Sequence, residues 1–388
     1  VLPGSGKTGI INLKKEIEMN KKITLGIIGL LSFGISAFAG NPDRAGGAGA
    51  TQLVVNPFAR STGLGSTNSA NVRGVESFYL NIGGLAYAKG TEVAFSRMTY
   101  LAGAGVNISN LGLAQSLGEE GSGGVLGLGI TSWNFGDVPI TTFDNPDGTL
   151  PSFTPSVVNL NASYSKTFSN SITGGFLVRI ISEGTADVRA SGVGFDFGVQ
   201  YQTSFNAKKK KLKKEDFRLG IAARNIGPDL QYTGAGLSFR AMNTSTGADR
   251  RALFDADKFN LPALVNIGLS YDMRLDKNES TYYHRLTASG NFQYNAFQSN
   301  LLGIGAEYSF KEMFMLRAAY NVQNGNSLSH DQSNPSNYAP DYGIWAGCTL
   351  QVPVSKGGTA FALDYSYAPT RIFNGMHTIG IRLNIAGK

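Results

Sequence analysis

Residues 378–385 read Thr-Ile-Gly-Ile-Arg-Leu-Asn-Ile. In an extended chain Ile379, Ile381, Leu383 and Ile385 fall on one side, and Thr378, Gly380, Arg382 and Asn384 on the other. The same period of two recurs upstream. Phe361, Leu363, Tyr365 and Tyr367 oppose Ala362, Asp364 and Ser366, and Leu302, Ile304, Ala306, Tyr308 and Phe310 oppose Gly303, Gly305, Glu307 and Ser309. A soluble sandwich and a membrane barrel both alternate, so length has to separate them. These segments run to roughly 10–13 residues, which suits a tilted membrane strand of ~9–11 better than a globular strand of ~5–6. One face is Leu, Ile, Phe and Tyr; the other is Gly, Ser, Thr, Asn and isolated charges, the apolar-out, polar-in pattern of an outer-membrane barrel.

Composition agrees. The 388 residues include 50 Gly and are 42% hydrophobic, 11% aromatic and only 16% charged, against ~25% charged in an average soluble domain. The 23 Phe and 16 Tyr exclude disorder. Beyond the N-terminus no apolar run approaches the ~20 residues of a membrane-spanning helix. The single cysteine, Cys348, excludes a disulfide framework and a cysteine-built metal site.

Residues 1–39 read as an upstream extension followed by a cleaved signal peptide. Met19 is the expected start, Lys21 and Lys22 the basic region, Ile23 to Phe33 the apolar core, and Ala37-Phe38-Ala39 the cleavage site. Past residue 39 the chain holds 29 basic and 25 acidic residues, so its basicity is no sign of nucleic-acid binding.

Alternation predicts strands at 91–101, 103–117, 123–135, 155–167, 171–183, 190–204, 216–226, 263–274, 282–294, 301–310, 313–323, 341–352, 358–368 and 376–385. Fourteen is even, which places both ends of the barrel (91–388) on the periplasmic side. The connections on that side, such as Ser169-Asn170 and Lys311-Glu312, are mostly tight, whereas 136–154, 227–262 and 324–340 lie outside and are long. The 227–262 loop has room for an extra hairpin around Gly236 to Ala241. Residues 40–90 are rich in Gly, Ala, Ser and Asn, show no clean strand, and are expected to fold into the lumen as a hatch.

Asn81-Ile82-Gly83-Gly84-Leu85-Ala86, just before the first strand, resembles the Asn-Pro-Ala-Gly-Leu-Ala motif of FadL-like barrels, with Ile82 in place of Pro. Arg44 to Gly49 and Ala59-Arg60-Ser61-Thr62-Gly63-Leu64-Gly65 resemble the entry segment of the PorV/PorQ family of type IX secretion outer-membrane proteins. Ala223-Arg224-Asn225-Ile226-Gly227-Pro228, Gly305-Ala306-Glu307-Tyr308 and Leu363-Asp364-Tyr365 extend the resemblance to the C-terminus. It implies a fourteen-stranded, non-enzymatic carrier. Such a carrier docks at the type IX translocon, binds the C-terminal signal domains of secreted proteins, and delivers them to a surface attachment complex.

Motifs for catalysis are missing. Pro3-Gly4-Ser5-Gly6-Lys7-Thr8 lacks the first Gly of a phosphate loop, since Val1 stands there. His284, His330 and His377 have no metal-ligand spacing. No cofactor is expected. The lysine run from Lys208 to Lys214 reads as a solvated inner turn or an anchor for outer-membrane lipid or lipopolysaccharide. Charges assigned to the lumen face (Arg179, Arg218, Arg224, Arg285, Glu307, Arg317, Asp364 and Arg382) must be paired or wet, and an ion-pair network holding the hatch is the plainer reading. Apolar residues on the outer loops, Val138, Ile140 and Phe143 in one and Leu253, Phe254 and Phe259 in another, are the candidate partner-binding surface. The alternative to a carrier is a FadL-like transporter of hydrophobic small molecules, against which the charged lumen counts; a further one is a fixed subunit of a surface complex.

Overall fold

Thr91 lies opposite Ile385, and the ladder between them runs on to Thr99 and His377, joining the two ends of the wall. The computed structural model describes residue 44 and residues 46–385, without 119–121, 149–150, 205–215, 243–244, 246, 277–282, 324–342, 356–357 and 371–372. Residues 1–39, the Lys208–Lys214 run, His330 and the 324–340 loop therefore lie outside the described residues.

The wall consists of β1 (Thr91–Thr99), β2 (Asn107–Ser116), β3 (Val125–Asn134), β4 (Ser156–Ser169), β5 (Ile172–Thr185), β6 (Val188–Thr203) and β7 (Phe217–Ile226). It continues through β8 (Leu264–Arg274), β9 (His284–Asn295), β10 (Leu301–Phe310), β11 (Phe314–Gln323), β12 (Gly343–Pro353), β13 (Ala360–Ala368) and β14 (Met376–Ile385). Every strand pairs antiparallel with the next, and the pairing of β1 with β14 closes the ring. A closed barrel leaves no edge, so its backbone polar groups are satisfied within the wall, which is what hydrocarbon demands. Each of the fourteen segments expected from alternation coincides with one strand. The largest difference in an end is at β2, which starts at Asn107 because Leu101, Gly103 and Gly105 turn the chain with positive φ.

Alternation in the sequence becomes inside and outside in space. On β13 Phe361, Leu363 and Tyr365 are exposed while Ala362, Asp364 and Ser366 are buried. Phe95, Leu128, Ile180, Phe197, Ile304 and Ile379 continue the exposed apolar belt on other strands. The chain is thus a transmembrane barrel of the outer-membrane type. The end carrying the long connections 135–155 and 227–263 is its outer end. On the 227–263 connection Ser238–Met242 pairs with Asp249–Leu253, a hairpin in the region where the sequence left room for one.

The core of the molecule lies within the wall. Residues 51–87 form four short helical turns, at Thr51–Leu53, Ala59–Gly63, Gly74–Tyr79 and Ile82–Tyr87. Phe58, Val75, Phe78, Tyr79, Ile82 and Leu85 pack there into one buried cluster. The wall makes room for them by omitting side chains. A Cβ on Gly112 would stand 2.1 Å from Val75, and one on Gly127 2.7 Å from the Phe78 ring. Much of the glycine in these strands is space for the segment inside them.

Candidate functional site

The lumenal segment is fastened to the wall at its end nearest β1 by the Asn81-Ile82-Gly83-Gly84-Leu85 stretch. Asn81 Oδ1 accepts from the Gly83 N–H at 3.1 Å, starting the turn at Ile82. Its Nδ2 donates to the Val199 carbonyl of β6 at 3.0 Å. A Cβ on Gly84 would lie 2.2 Å from the Val72 carbonyl oxygen, and one on Gly198 in the wall 2.2 Å from Asn81 Oδ1. Leu85 is fully buried. Gly84 makes room for the Val72 carbonyl and Gly198 for the Asn81 side chain, and the stretch is a fastening.

Charge holds the same segment across its middle. Glu307 on β10 is shared by three guanidiniums: Arg60 of the segment at 3.0 Å, Arg317 at 3.2 Å and Arg285 at 3.3 Å. Glu307 raises the Arg60 pKa and keeps that guanidinium firmly charged. Arg382 reaches Glu76 of the segment at 3.4 Å and Asp364 on the wall at 3.9 Å. Burial pushes the Glu76 carboxyl above the usual carboxylate range, against the pull of Arg382 and Arg60. Gly74 occupies the left-handed region at φ +67, and a Cβ there would stand 2.0 Å from Glu92 Oε2, which neighbours the Glu92 oxygen that accepts the Val75 N–H at 3.1 Å.

A second cluster joins Arg179 to Asp196 at 3.0 Å and to the Phe78 carbonyl at 3.1 Å. Arg224 donates to the Leu53 carbonyl, and both guanidiniums lie over the Tyr79 ring, at 4.8 and 5.9 Å. Arg218 pairs with Asp272 at 2.8 Å. All eight lumen charges singled out in the sequence sit in paired networks, four of them (Arg179, Arg224, Glu307 and Arg382) bound directly to the segment.

Toward the outer end the lumen face changes character. Inward positions of β1, β2, β3 and β4 there hold Met98, Ile108, Trp133 and Val157, a buried cluster with Val55 and Tyr100 against it. Trp133 stacks on Phe135 at 5.8 Å and meets Tyr100 edge-on at 5.3 Å. Ala319, Trp345, Ala368 and Met376 form a second cluster that Tyr100 also touches. Both tryptophans of the chain therefore face inward at one end. Between the clusters and the segment lies a slot lined by Val54, Val55, Met98, Tyr100, Trp345 and Met376 on its apolar side and by Gln293 and Asn321 on its polar side. About 30 Å³ of it is open to a water-sized molecule, room for one or two waters. No charge lines the slot itself, although Glu183, opposite Val157, and Arg224, opposite Leu264, carry charge into the outer rows of the lumen.

On the outer loops Val138 and Ile140 are exposed and the Phe143 ring is wholly so, at 101%. Leu253 and Phe254 are exposed at 68% and 64%, Phe254 resting against Phe239 with ring centroids 4.4 Å apart. Phe259 corrects the expectation of an exposed loop residue. It packs half-buried against Ala50, Leu53, Ile181, Leu230 and Leu261 and beside the Tyr232 ring, because Lys258–Phe259 pairs back onto Leu230–Gln231. Phe259 belongs to the cover over the segment, leaving five residues to form an outer surface. His284 and His377 each meet a tyrosine hydroxyl, of Tyr308 at 2.6 Å and Tyr365 at 2.9 Å. No group of three His, Cys, Asp or Glu able to hold a metal occurs among the described residues.

No protein-family model and no curated protein matches this chain. Solved structures do resemble it. The Pseudomonas putida toluene transporter TodX is 14% identical, with a TM-score of 0.47 over 85% of this chain and 97% of that one. A Pseudomonas aeruginosa FadL homologue is 11% identical, with a TM-score of 0.45 over 85% and 97%. The Acinetobacter baumannii outer membrane protein Omp33 is 8% identical, with a TM-score of 0.34 over 77% and 98%. With TM-scores under 0.5, these likenesses transfer no property to this chain.

Proposed function

We propose that this barrel admits small hydrophobic molecules from the outer face of the outer membrane, without chemical change to them. One observation carries this reading: both tryptophans, with Met98, Ile108, Met376 and Tyr100, line the lumen at its outer end. A lumen wall that met only water would have no use for them; a concave apolar surface with a few amide groups is how small ligands are held. Below the slot the ion-paired segment closes the lumen, so passage requires that segment to shift. The test is entry of a hydrophobic fluorophore into proteoliposomes carrying the barrel. Faster entry than into protein-free liposomes, lost in the Trp133→Ala/Trp345→Ala double variant, supports the reading; equal entry overturns it.

A second reading is favoured by the exposed outer residues Phe143, Leu253 and Phe254. They offer a surface to a protein partner, as a type IX carrier would need for translocon or attachment-complex proteins and for C-terminal signal domains. Affinity capture from the native outer membrane discriminates. Recovery of those proteins with the wild-type chain, and not with Phe143→Ser/Leu253→Ser, would establish the carrier role.

A further inference from the structure

The outward face of β6 shows where the hydrocarbon layer ends. Going up the strand, that face carries Tyr201, Val199, Phe197, Phe195 and Val193, then Ser191 and Arg189. From Tyr201 to Val193 the apolar column climbs about 26 Å along the strand, or about 20 Å of height at a tilt of ~40°, most of the ~25 Å apolar band of such barrels. Ser191, with Ser182 opposite it on β5, ends the column. Arg189 stands above it, at the depth of lipid headgroups. Its side chain lies across Gly184 of β5, where a Cβ would come within 3.6 Å of the Arg189 Cγ and Nε.

The outer hairpin, Ser238–Met242 with Asp249–Leu253, is rooted on the same rim. Thr233 and Gly234 pair with Arg189 and Val188, and the Gly236 N–H donates to the Asp187 carbonyl at 3.3 Å. On the hairpin Arg240 stands directly opposite Arg251, so both side chains leave the same face. Like charges so placed cost stability, and an anion between them removes that cost. Arg251 also reaches back to the root, its Nη2 donating to the Ala235 carbonyl at 3.4 Å. Arg189, Arg240 and Arg251 are all exposed, and none makes an ion pair among the described residues, although Asp187 and Asp249 are near in the chain. The arginines of the lumen networks, by contrast, all have carboxylate partners.

We infer that Arg189, Arg240 and Arg251 form a docking surface for the phosphate groups of the glycolipid in the outer leaflet. Guanidiniums hold phosphate oxygens in pairs, by charge-assisted hydrogen bonds. A partner at Arg189 sits directly above side chains that meet acyl chains, which is the place of a lipid headgroup and not of a soluble acidic protein. The surface is independent of what the lumen admits.

Native mass spectrometry of the full chain in dodecyl maltoside micelles, titrated with diphosphoryl lipid A, tests it. The triple variant Arg189→Gln/Arg240→Gln/Arg251→Gln should bind on the order of a hundredfold more weakly than the wild type, each arginine being worth a factor of about five at an anionic lipid surface. Arg250→Gln removes a charge from the opposite face of the hairpin and should bind as the wild type does. Lipid A stripped of its phosphates should bind the wild type as weakly as intact lipid A binds the triple variant. Fast migration in an unheated gel confirms that each variant is a closed barrel. Equal binding by wild type and triple variant, or of intact and stripped lipid A, overturns the inference. So does displacement of lipid A by an equal concentration of inorganic phosphate, which would make this a site for free anions, or of hexaglutamate, which would give it to an acidic protein.

Discussion

The two ends of the lumen are built by opposite rules. In the middle and inner part, Glu307, Glu76, Asp364 and their arginine partners fasten the segment to the wall, and glycines are stripped of side chains so that backbones touch. At the outer end the inward positions of β1–β3, β12 and β14 carry Met, Ile and Trp beside a slot that is only partly filled, and the charges there, Glu183 and Arg224, stand on β5 and β7. A charge out of water must be matched point by point, so the first region has essentially one arrangement. Apolar surface is non-directional and tolerates rearrangement. The difference teaches that the rigid part of this lumen is its polar part, and that the part able to receive something is apolar.

The sharpest break in that comparison is Glu307→Ala, which leaves Arg60, Arg285 and Arg317 around a vanished carboxylate. It should cost about 3–5 kcal/mol, read as a fall in the urea midpoint of the barrel in lipid vesicles. Next comes Gly84→Ala, whose methyl would meet the Val72 carbonyl. A loss of about 3 kcal/mol is expected, whereas Gly290→Ala, with its nearest contact at 3.7 Å, should leave the midpoint unchanged. Trp345→Ala at the outer end should cost about 2 kcal/mol, less than the ~3–5 of a tightly packed core aromatic, because the slot already has free space. A loss as large as that of Glu307→Ala would erase the proposed difference between the ends.

The smallest effect is one of pH. Burial raises the folded-state pKa of Glu76 above its ordinary value of 4.5, so the folded chain holds that proton more tightly than the unfolded one. The contribution is fully present below 4.5 and is lost as pH rises through the raised value. The urea midpoint of the wild type should therefore drift down between pH 4 and 8, and Glu76→Gln should flatten the drift. A midpoint that rises over that range in the wild type, and not in the variant, would reverse the assignment.

The wall was legible because lipid and lumen impose a strict two-residue code on each strand; even the β14 ladder could be read from Thr378 to Ile385. Residues 51–87 gave no period for an equally physical reason. Phe78, Tyr79, Ile82 and Leu85 are buried on every side, so no polar face remains to mark an alternation. Phe259 was misplaced because whether a loop folds back depends on pairing with Leu230 and Gln231, residues far upstream. The slot was invisible for the same reason, with Met98 of β1 brought beside Trp345 and Met376 of β12 and β14 only by closure of the ring. One signal was present: Met98 and Trp133 occupy positions that the alternation reserves for small or polar residues.

The lumenal segment touches the wall all the way round, from Val75 beside β1 and Tyr79 at β3 to Leu80 at β8, Ser69 at β9 and Gly65 at β11. A strip gripped on all sides cannot be threaded into a finished cylinder, so it must be in place before Thr91 meets Ile385. That last pairing joins residues 294 positions apart, so its loop-closure cost is the largest of any strand pair in the wall. The segment is thus a mandrel on which the wall is wound. Damage to it should appear first as barrels that never close, in the yield of assembled protein, before it appears in anything an assembled barrel does.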